Sequence, residues 1–288
     1  MRIVKGLIEC FSISALFLGF FSNCYAEGLK FELLPPVNIF SAPIADPKWP
    51  KFSMGIARDY KANLGKKVWS FSFGENIGLA KLETNTRMFE FGVQAAAFGV
   101  MDIHSDPTRM INSDYFIGFG VSHSSDNIQQ LVQLSHVSSH VGDEFLLSPA
   151  AANFQRINLS YETLKWFIRY KNLESRPRIS PYISLGYIVH IDPDHVKRIL
   201  LAGGVDYFSG RVIFNSSTRF IAGAHINSWQ ANHYNPTIVI RTGLQYERTK
   251  YCDRFLQLLL EYKQGKSLQG QFYQQRIKSV GLVVAFSS

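Results

Sequence analysis

Residues 135–144 read Ser-His-Val-Ser-Ser-His-Val-Gly-Asp-Glu and place several proton-moving side chains in close succession. On an extended strand His136, Ser138 and His140 share one face, about 7 Å apart in successive pairs. An imidazole within reach of a serine hydroxyl is the minimum for nucleophilic acyl transfer, with His136 as the general base. Asp143 or Glu144 is the carboxylate expected to orient the ring. Val132 and Leu134 share the same face, so that face is expected to look toward lipid at the outer end of its strand. The alternative is a polar strand end whose side chains bond the adjoining loop.

Two other groups have chemically capable side chains. His190, Asp192, Asp194 and His195 crowd one loop with ligand types suited to a divalent ion, although a solvated turn around Pro193 explains them more simply. No metal or cofactor site is expected. Glu90, Gln94, Asp114, Arg156, Glu162, Arg241, Gln245 and Glu247 form the expected lumenal polar set, which plugs a barrel if mutually paired and lines a pore if held around water.

Strands are expected to carry these residues. In 111–122 Tyr115, Ile117, Phe119 and Val121 alternate with Asp114, Gly118 and Gly120. The same dyad recurs in 153–165, 179–191 and 236–247. At the end of the chain, Val280, Leu282, Val284 and Phe286 alternate with Ser279, Gly281, Val283 and Ala285. Such alternation fits a wall with one face in lipid and the other toward a lumen. Twelve segments are expected: about 52–60, 67–79, 87–102, 111–122, 129–140, 153–169, 179–190, 199–208, 212–225, 236–248, 253–263 and 275–286. An even count returns both ends of the wall to one side. Trp69, Trp166, Tyr170, Tyr182, Trp229, Tyr234, Tyr251 and Tyr273 fall near strand ends, where interfacial girdles are expected.

Residues 1–26 read as a signal peptide, with Arg2 and Lys5 before an apolar stretch and Cys24 and Ala26 at the cleavage positions. Residues 27–50 hold five of the eleven prolines and are expected to form an extended periplasmic leader that runs along or plugs the barrel mouth. Residues 51–288 are the expected barrel. Past the signal no apolar run approaches the roughly 20 residues that a spanning helix requires, so a membrane-spanning form must be a closed sheet. Beyond residue 26 only Cys252 remains, which excludes an internal disulfide. The net charge of +8 is scattered, giving no clustered footprint for nucleic acid, and suits anionic headgroups or lipopolysaccharide phosphates.

The motif Ser279-x-Gly281-x-x-Val284-x-Phe286 resembles the C-terminal insertion signal of bacterial outer-membrane barrels, which implies the barrel-assembly machinery as a partner. His136-x-Ser138 resembles the His-x-Ser pair of outer-membrane phospholipase A and lipid A deacylase barrels, where asparagine follows the serine and here stands Ser139. Ile44-Ala-Asp-Pro47, Pro50-Lys-Phe-Ser53, Phe91-Gly-Val-Gln-Ala95, Ile111-Asn-Ser-Asp-Tyr115, Ser138-Ser-His-Val-Gly-Asp-Glu144 and Ile157-Asn-Leu-Ser-Tyr-Glu162 resemble a Gram-negative outer-membrane family catalogued as domain of unknown function 1207. That likeness implies residence in the cell outer membrane and no established activity.

The expected fold is therefore all-β: a transmembrane antiparallel up-and-down barrel of about twelve strands with a proline-rich N-terminal leader. A structural or interaction role, or a small conduit, is the first expectation. The alternatives are a lipid acyl-ester hydrolase using Ser138 and His136, and a soluble periplasmic β-domain binding an apolar ligand.

Overall fold

A computed structural model of the chain describes residues 29–61, 65–171, 177–213, 217–246 and 255–287; the expected signal peptide lies outside the described residues. A short strand β1 (Lys30–Leu33) precedes twelve others: β2 (Phe52–Asp59), β3 (Lys67–Glu83), β4 (Arg87–Asp102), β5 (Arg109–Ser125), β6 (Ile128–Val141), β7 (Ser160–Tyr170), β8 (Arg178–Asp192), β9 (Ile199–Ile213), β10 (Thr218–Trp229), β11 (Thr237–Tyr246), β12 (Phe255–Lys266) and β13 (Arg276–Ser287). Consecutive strands from β2 onward pair antiparallel, and β13 pairs back onto β2 with Phe286 opposite Phe52 and Val280 opposite Arg58. The result is a closed twelve-stranded up-and-down barrel. Closure matters because it leaves no row of unpaired backbone groups facing lipid. Strand β1 lies beside β3 beyond the start of β2, with Leu33 opposite Ala80.

The period-2 chemistry fixes the faces. Along β5, Tyr115, Ile117, Phe119 and Val121 are about half exposed, whereas Asp114, Phe116, Gly118, Gly120 and Ser122 between them are buried. Strand β13 repeats this: Val280, Leu282, Val284 and Phe286 point out, and Ser279, Val283 and Ala285 point in. An apolar exterior around a polar, largely buried interior is the inverse of a water-soluble surface and the arrangement a bilayer requires.

The lumen is occupied by the chain's own residues 35–51. Phe40 stacks on Trp49 with ring centroids 5.5 Å apart, and both pack on Phe167 of β7. The Ile44 N–H donates to Asp206 Oδ1 at 3.0 Å, and Arg241 Nη1 donates to the Ile44 carbonyl at 3.0 Å. Ile39 N–H donates to Glu90 Oε2 at 3.2 Å. Gly223 lies under this segment, where an added Cβ would fall 2.9 Å from that of Ile44. The segment runs from the rim of short turns, where Lys171 Nζ donates to Ser41 Oγ at 2.8 Å, to the rim of longer loops, where Lys48 Nζ meets Asp114 Oδ2 at 2.6 Å and Gln269 Oε1 at 3.2 Å. Prolines and the absence of helical periodicity leave its backbone groups unpaired in regular structure, and the lumenal charges satisfy several of them.

Residues 153–159 are not strand: β7 begins at Ser160, after a short helix α1 (Asp143–Leu146) and a 3-10 turn (Pro149–Ala151). The faces assigned to 153–165 are also reversed, because Leu159 and Tyr161 turn inward and Glu162 turns outward. The physical reason is an apolar cluster of Leu159, Ile188, Ile191, Val196, Trp229 and Tyr273 that fills the barrel mouth at the loop rim. At that depth the inside is the apolar side, so alternation alone points the wrong way. Trp229 and Tyr273 belong to this cluster, and Tyr182 bonds His225 inside the lumen at 2.9 Å, so these three do not form a girdle. Trp166, Tyr170 and Tyr234 are exposed near strand ends, and Tyr251 lies outside the described residues. Of the expected lumenal set, Glu90, Gln94, Asp114, Arg241 and Gln245 are buried inside. Arg156 is exposed in the β6–β7 loop, Glu162 faces out, and Glu247 lies outside the described residues. The leucine-rich segment near 255–260, which suits a helix nearly as well, is strand β12.

Candidate functional site

Three adjacent strands meet near the loop rim in one row of the pairing register. His136 of β6 lies opposite Glu162 of β7, which lies opposite His190 of β8. One place further along, Ser138 lies opposite Ser160, and Ser160 opposite Asp192. A bulge in β8 between Glu162 and Thr163 of its partner shifts parity there, so both Val189 and His190 are exposed. Bulges at a rim re-aim side chains in this way.

Two hydrogen-bonded units result. Ser138 Oγ and His140 Nε2 are 2.9 Å apart, and the His140 ring stands edge-on to Tyr115 at 5.6 Å between centroids. Beside them, Glu162 accepts from both flanking histidines: His136 Nδ1 at 2.7 Å from Oε1 and His190 Nδ1 at 2.8 Å from Oε2. When His136 donates from Nδ1 in its neutral form, its Nε2 carries the lone pair and is the basic atom. The same holds for His140 Nε2 when Ser138 donates to it.

The cluster lies on the outside of the barrel, next to the exposed apolar side chains of Ile117, Leu134, Tyr187 and Val189. Lumenal Ser135 and Ser139 lie on the opposite face, and Ser139 instead bonds Asn112 and Asp114. Serine, histidine and carboxylate are thus presented where an acyl chain from the bilayer can reach them. Proton transfer from Ser138 to an imidazole with attack on a carbonyl is the chemistry these atoms allow.

The sequence singled out His136, Ser138 and His140 together, and they do share a face. The hydrogen bond of Ser138, however, is made to His140, not His136. Asp143 and Glu144 start α1, exposed to solvent, and bond neither histidine through their side chains among the described contacts. Glu162 holds the orienting position that sequence reasoning assigned to them. His190 joins it, having been grouped with a loop instead. Strand register was the missing signal, since matching β6 to β7 and β7 to β8 puts His136, Glu162 and His190 in a line. Among the described residues, no three histidine, cysteine or acidic side chains are grouped as a metal ion requires, His190, Asp192, Asp194 and His195 included.

Comparison with solved structures places the fold. The chain is similar to outer membrane phospholipase A from Escherichia coli, with 13% identity, 85% of this chain and 94% of that chain covered and a TM-score of 0.56. It is also similar to the outer membrane phospholipase dimer of Salmonella typhi with bound calcium, at 12% identity, 83% and 93% coverage and a TM-score of 0.54. KdgM porin matches at 8% identity, with 82% of this chain and 98% of that chain covered and a TM-score of 0.42. At such identities the likeness to the two phospholipase structures establishes the barrel fold and no activity. No curated protein matches the chain in sequence. Residues 24–287 match the family described as Protein of unknown function (DUF1207), and the chain belongs to that family.

Proposed function

We propose that this barrel is a lipid acyl-ester hydrolase that works on its outer wall. The observation that carries the reading is the Ser138 Oγ to His140 Nε2 contact of 2.9 Å on the lipid-facing surface, beside a histidine already held by a carboxylate. Ser138 attacks the ester carbonyl carbon as the imidazole takes its proton. The alkoxy group then leaves with that proton, and water regenerates the serine by the reverse path. The fold similarity to outer membrane phospholipase A supports an acyl-ester substrate drawn from the bilayer.

The geometry supports two assignments of the base. His140 touches the nucleophile, whereas His136 has the orienting carboxylate, Glu162. Purified protein assayed with a long-chain acyl ester in mixed micelles tests the reading. Ser138→Ala is expected to abolish turnover, by about 10³-fold or more. Comparing His140→Ala with His136→Ala then identifies the base. If Ser138→Ala retains the wild-type rate, the hydrolase reading fails. The barrel would then be a structural or interaction protein, consistent with a lumen filled by residues 35–51.

We further infer that the protein resides in the outer membrane with its loop rim outward and its chain ends and short turns periplasmic, after removal of residues 1–26. Longer loops outside and shorter turns inside are the usual order in such barrels. In that setting the apolar wall meets lipid tails, lipopolysaccharide is the neighbouring lipid, and β13 supplies the segment read by the barrel-assembly machinery.

A further inference from the structure

The loop between β12 and β13 is rich in side-chain amides, for four of the seven residues 269–275 are glutamine. Two of them are used within the fold. Gln269 accepts from Lys48 Nζ at 3.2 Å. Gln271 ties two neighbouring segments together, its Oε1 accepting from the Ile157 N–H at 3.2 Å and its Nε2 donating to the Ser139 carbonyl at 2.8 Å. Gln274 and Gln275 line a groove of about 510 Å³ at the loop rim, joined by Asn153 and Gln155 of the β6–β7 loop and His195 of the β8–β9 loop. That volume falls within the roughly 300–1,000 Å³ usual for small-molecule sites.

The groove has an aromatic floor held in place. Phe154 stacks on Phe272 with ring centroids 4.8 Å apart, and Phe145 meets both rings edge-on at 5.4 and 5.3 Å. Phe145 and Phe272 are buried, whereas Phe154 is half-buried and leaves part of its ring open. Backbone bonds fix the walls: Phe154 N–H to the Ala151 carbonyl at 2.9 Å, and Gln275 N–H to the Phe272 carbonyl at 2.9 Å. Above this floor Asn153, Gln155 and Gln274 are exposed. Gln274 Nε2 donates to the Tyr273 hydroxyl at 2.9 Å, while the side chains of Asn153 and Gln155 bond no protein group among the described residues. No lysine, arginine, aspartate or glutamate lines the groove among the described residues. A phosphate or carboxylate would therefore meet no counter-charge in the lining, and a hard cation no anionic ligand.

We propose that this groove binds a neutral oligosaccharide. Each side-chain amide carries both donors and an acceptor, so it can serve both roles of a sugar hydroxyl. The C–H face of a pyranose ring packs on an aromatic ring, whose face is the negative side of its quadrupole, and Phe154 is the ring open for it. An uncharged lining matches an uncharged ligand. An apolar ligand would strip water from the amides and return no hydrogen bond. The inference rests on this lining and is independent of the hydrolase reading, which concerns the outer wall.

The test uses the full barrel in a detergent without sugar headgroups. The labelled protein is applied to an array of neutral and acidic oligosaccharides, and the tightest-bound neutral glycan is then titrated by calorimetry. Binding is expected among the neutral glycans. Asn153→Ala/Gln155→Ala is expected to weaken it about tenfold or more, and Phe154→Ala to a similar degree. Leu147→Ala, exposed on the same loop outside the lining, is expected to bind as the parent does. Should Phe154→Ala lose its folded mobility on gels, the Asn153/Gln155 variant and Gln274→Ala decide the matter. Failure of every neutral glycan to bind, a preference for acidic glycans, or neutral-glycan binding that survives these substitutions overturns the proposal.

Discussion

Glu162 organises the candidate site, because a single carboxylate accepts hydrogen bonds from two histidines on the neighbouring strands. If His136 is the base, Glu162→Gln removes the negative charge and leaves one acceptor oxygen for two histidines, so the carboxylate no longer fixes the His136 tautomer, and turnover should fall about tenfold or more while Ser138 remains in place. If His140 is the base, the same substitution should leave turnover within about twofold, since His140 bonds Ser138 directly. Measuring kcat for His136→Ala, Glu162→Gln and the double variant separates these cases, because a double variant no slower than His136→Ala alone shows that the two act as one unit. At this scale the sequence was legible in part. His136, Ser138 and His140 are visible as a short run, since two-residue spacing on a strand is a local fact. Glu162 and His190 are remote in sequence, and only the pairing register brings them to the same row.

Among the elements, the segment 35–51 does most to distinguish this barrel from an open conduit. Its docking depends on close approach at Gly223 and on buried pairs such as Arg169 with Asp206, 2.8 Å apart and both almost wholly buried. Gly223→Leu should displace the segment, because its side chain would need the space that Ile44 fills. Planar-bilayer recording is expected to show conductance steps in this variant and not in the parent, whereas a silent variant would mean that another element closes the lumen. Asp206→Ala leaves Arg169 and the Ile44 N–H without their partner, and should lower unfolding free energy by about 3–5 kcal/mol in denaturant titrations of the refolded barrel.

Lys171, just beyond β7 and bonded to Ser41, adds a pH dependence. Burial, with the nearby charges of Arg178 and Arg169, pushes its ammonium down to about 8. The unfolded chain therefore binds more protons there between about pH 8 and 10.5, and stability should rise with pH across that window. Below about 8 the full penalty remains. Lys171→Met should flatten the slope when denaturant midpoints are compared at pH 8 and 10. The prolines announced an irregular segment, but its path inside the lumen depends on distant partners such as Asp206 and Arg241, which no local pattern reveals.

At the scale of the whole molecule, the barrel was legible because lipid and lumen impose opposite demands on neighbouring residues. The alternation in β5, β11 and β13 translates directly into faces: Tyr115, Ile117, Ile238, Ile240 and Leu282 are exposed, while Asp114, Thr237, Arg241 and Ala285 are buried. The pattern fails where the demands change. Near the loop rim the mouth is filled by Leu159, Ile191 and Trp229, so apolar side chains point inward and the start of β7 is misread.

The barrel is a sealed wall with lipid on its outside and protein within. Single spin-labelled cysteines placed at successive positions 114–121 of β5, in a Cys252→Ser background reconstituted in bilayers, test it most directly. Collision with dissolved oxygen should peak at 115, 117, 119 and 121 and fall at 114, 116, 118 and 120, with little access to a water-soluble nickel chelate at either set. Strong nickel access at the odd positions, or no alternation along the strand, would mean that this face does not lie in lipid.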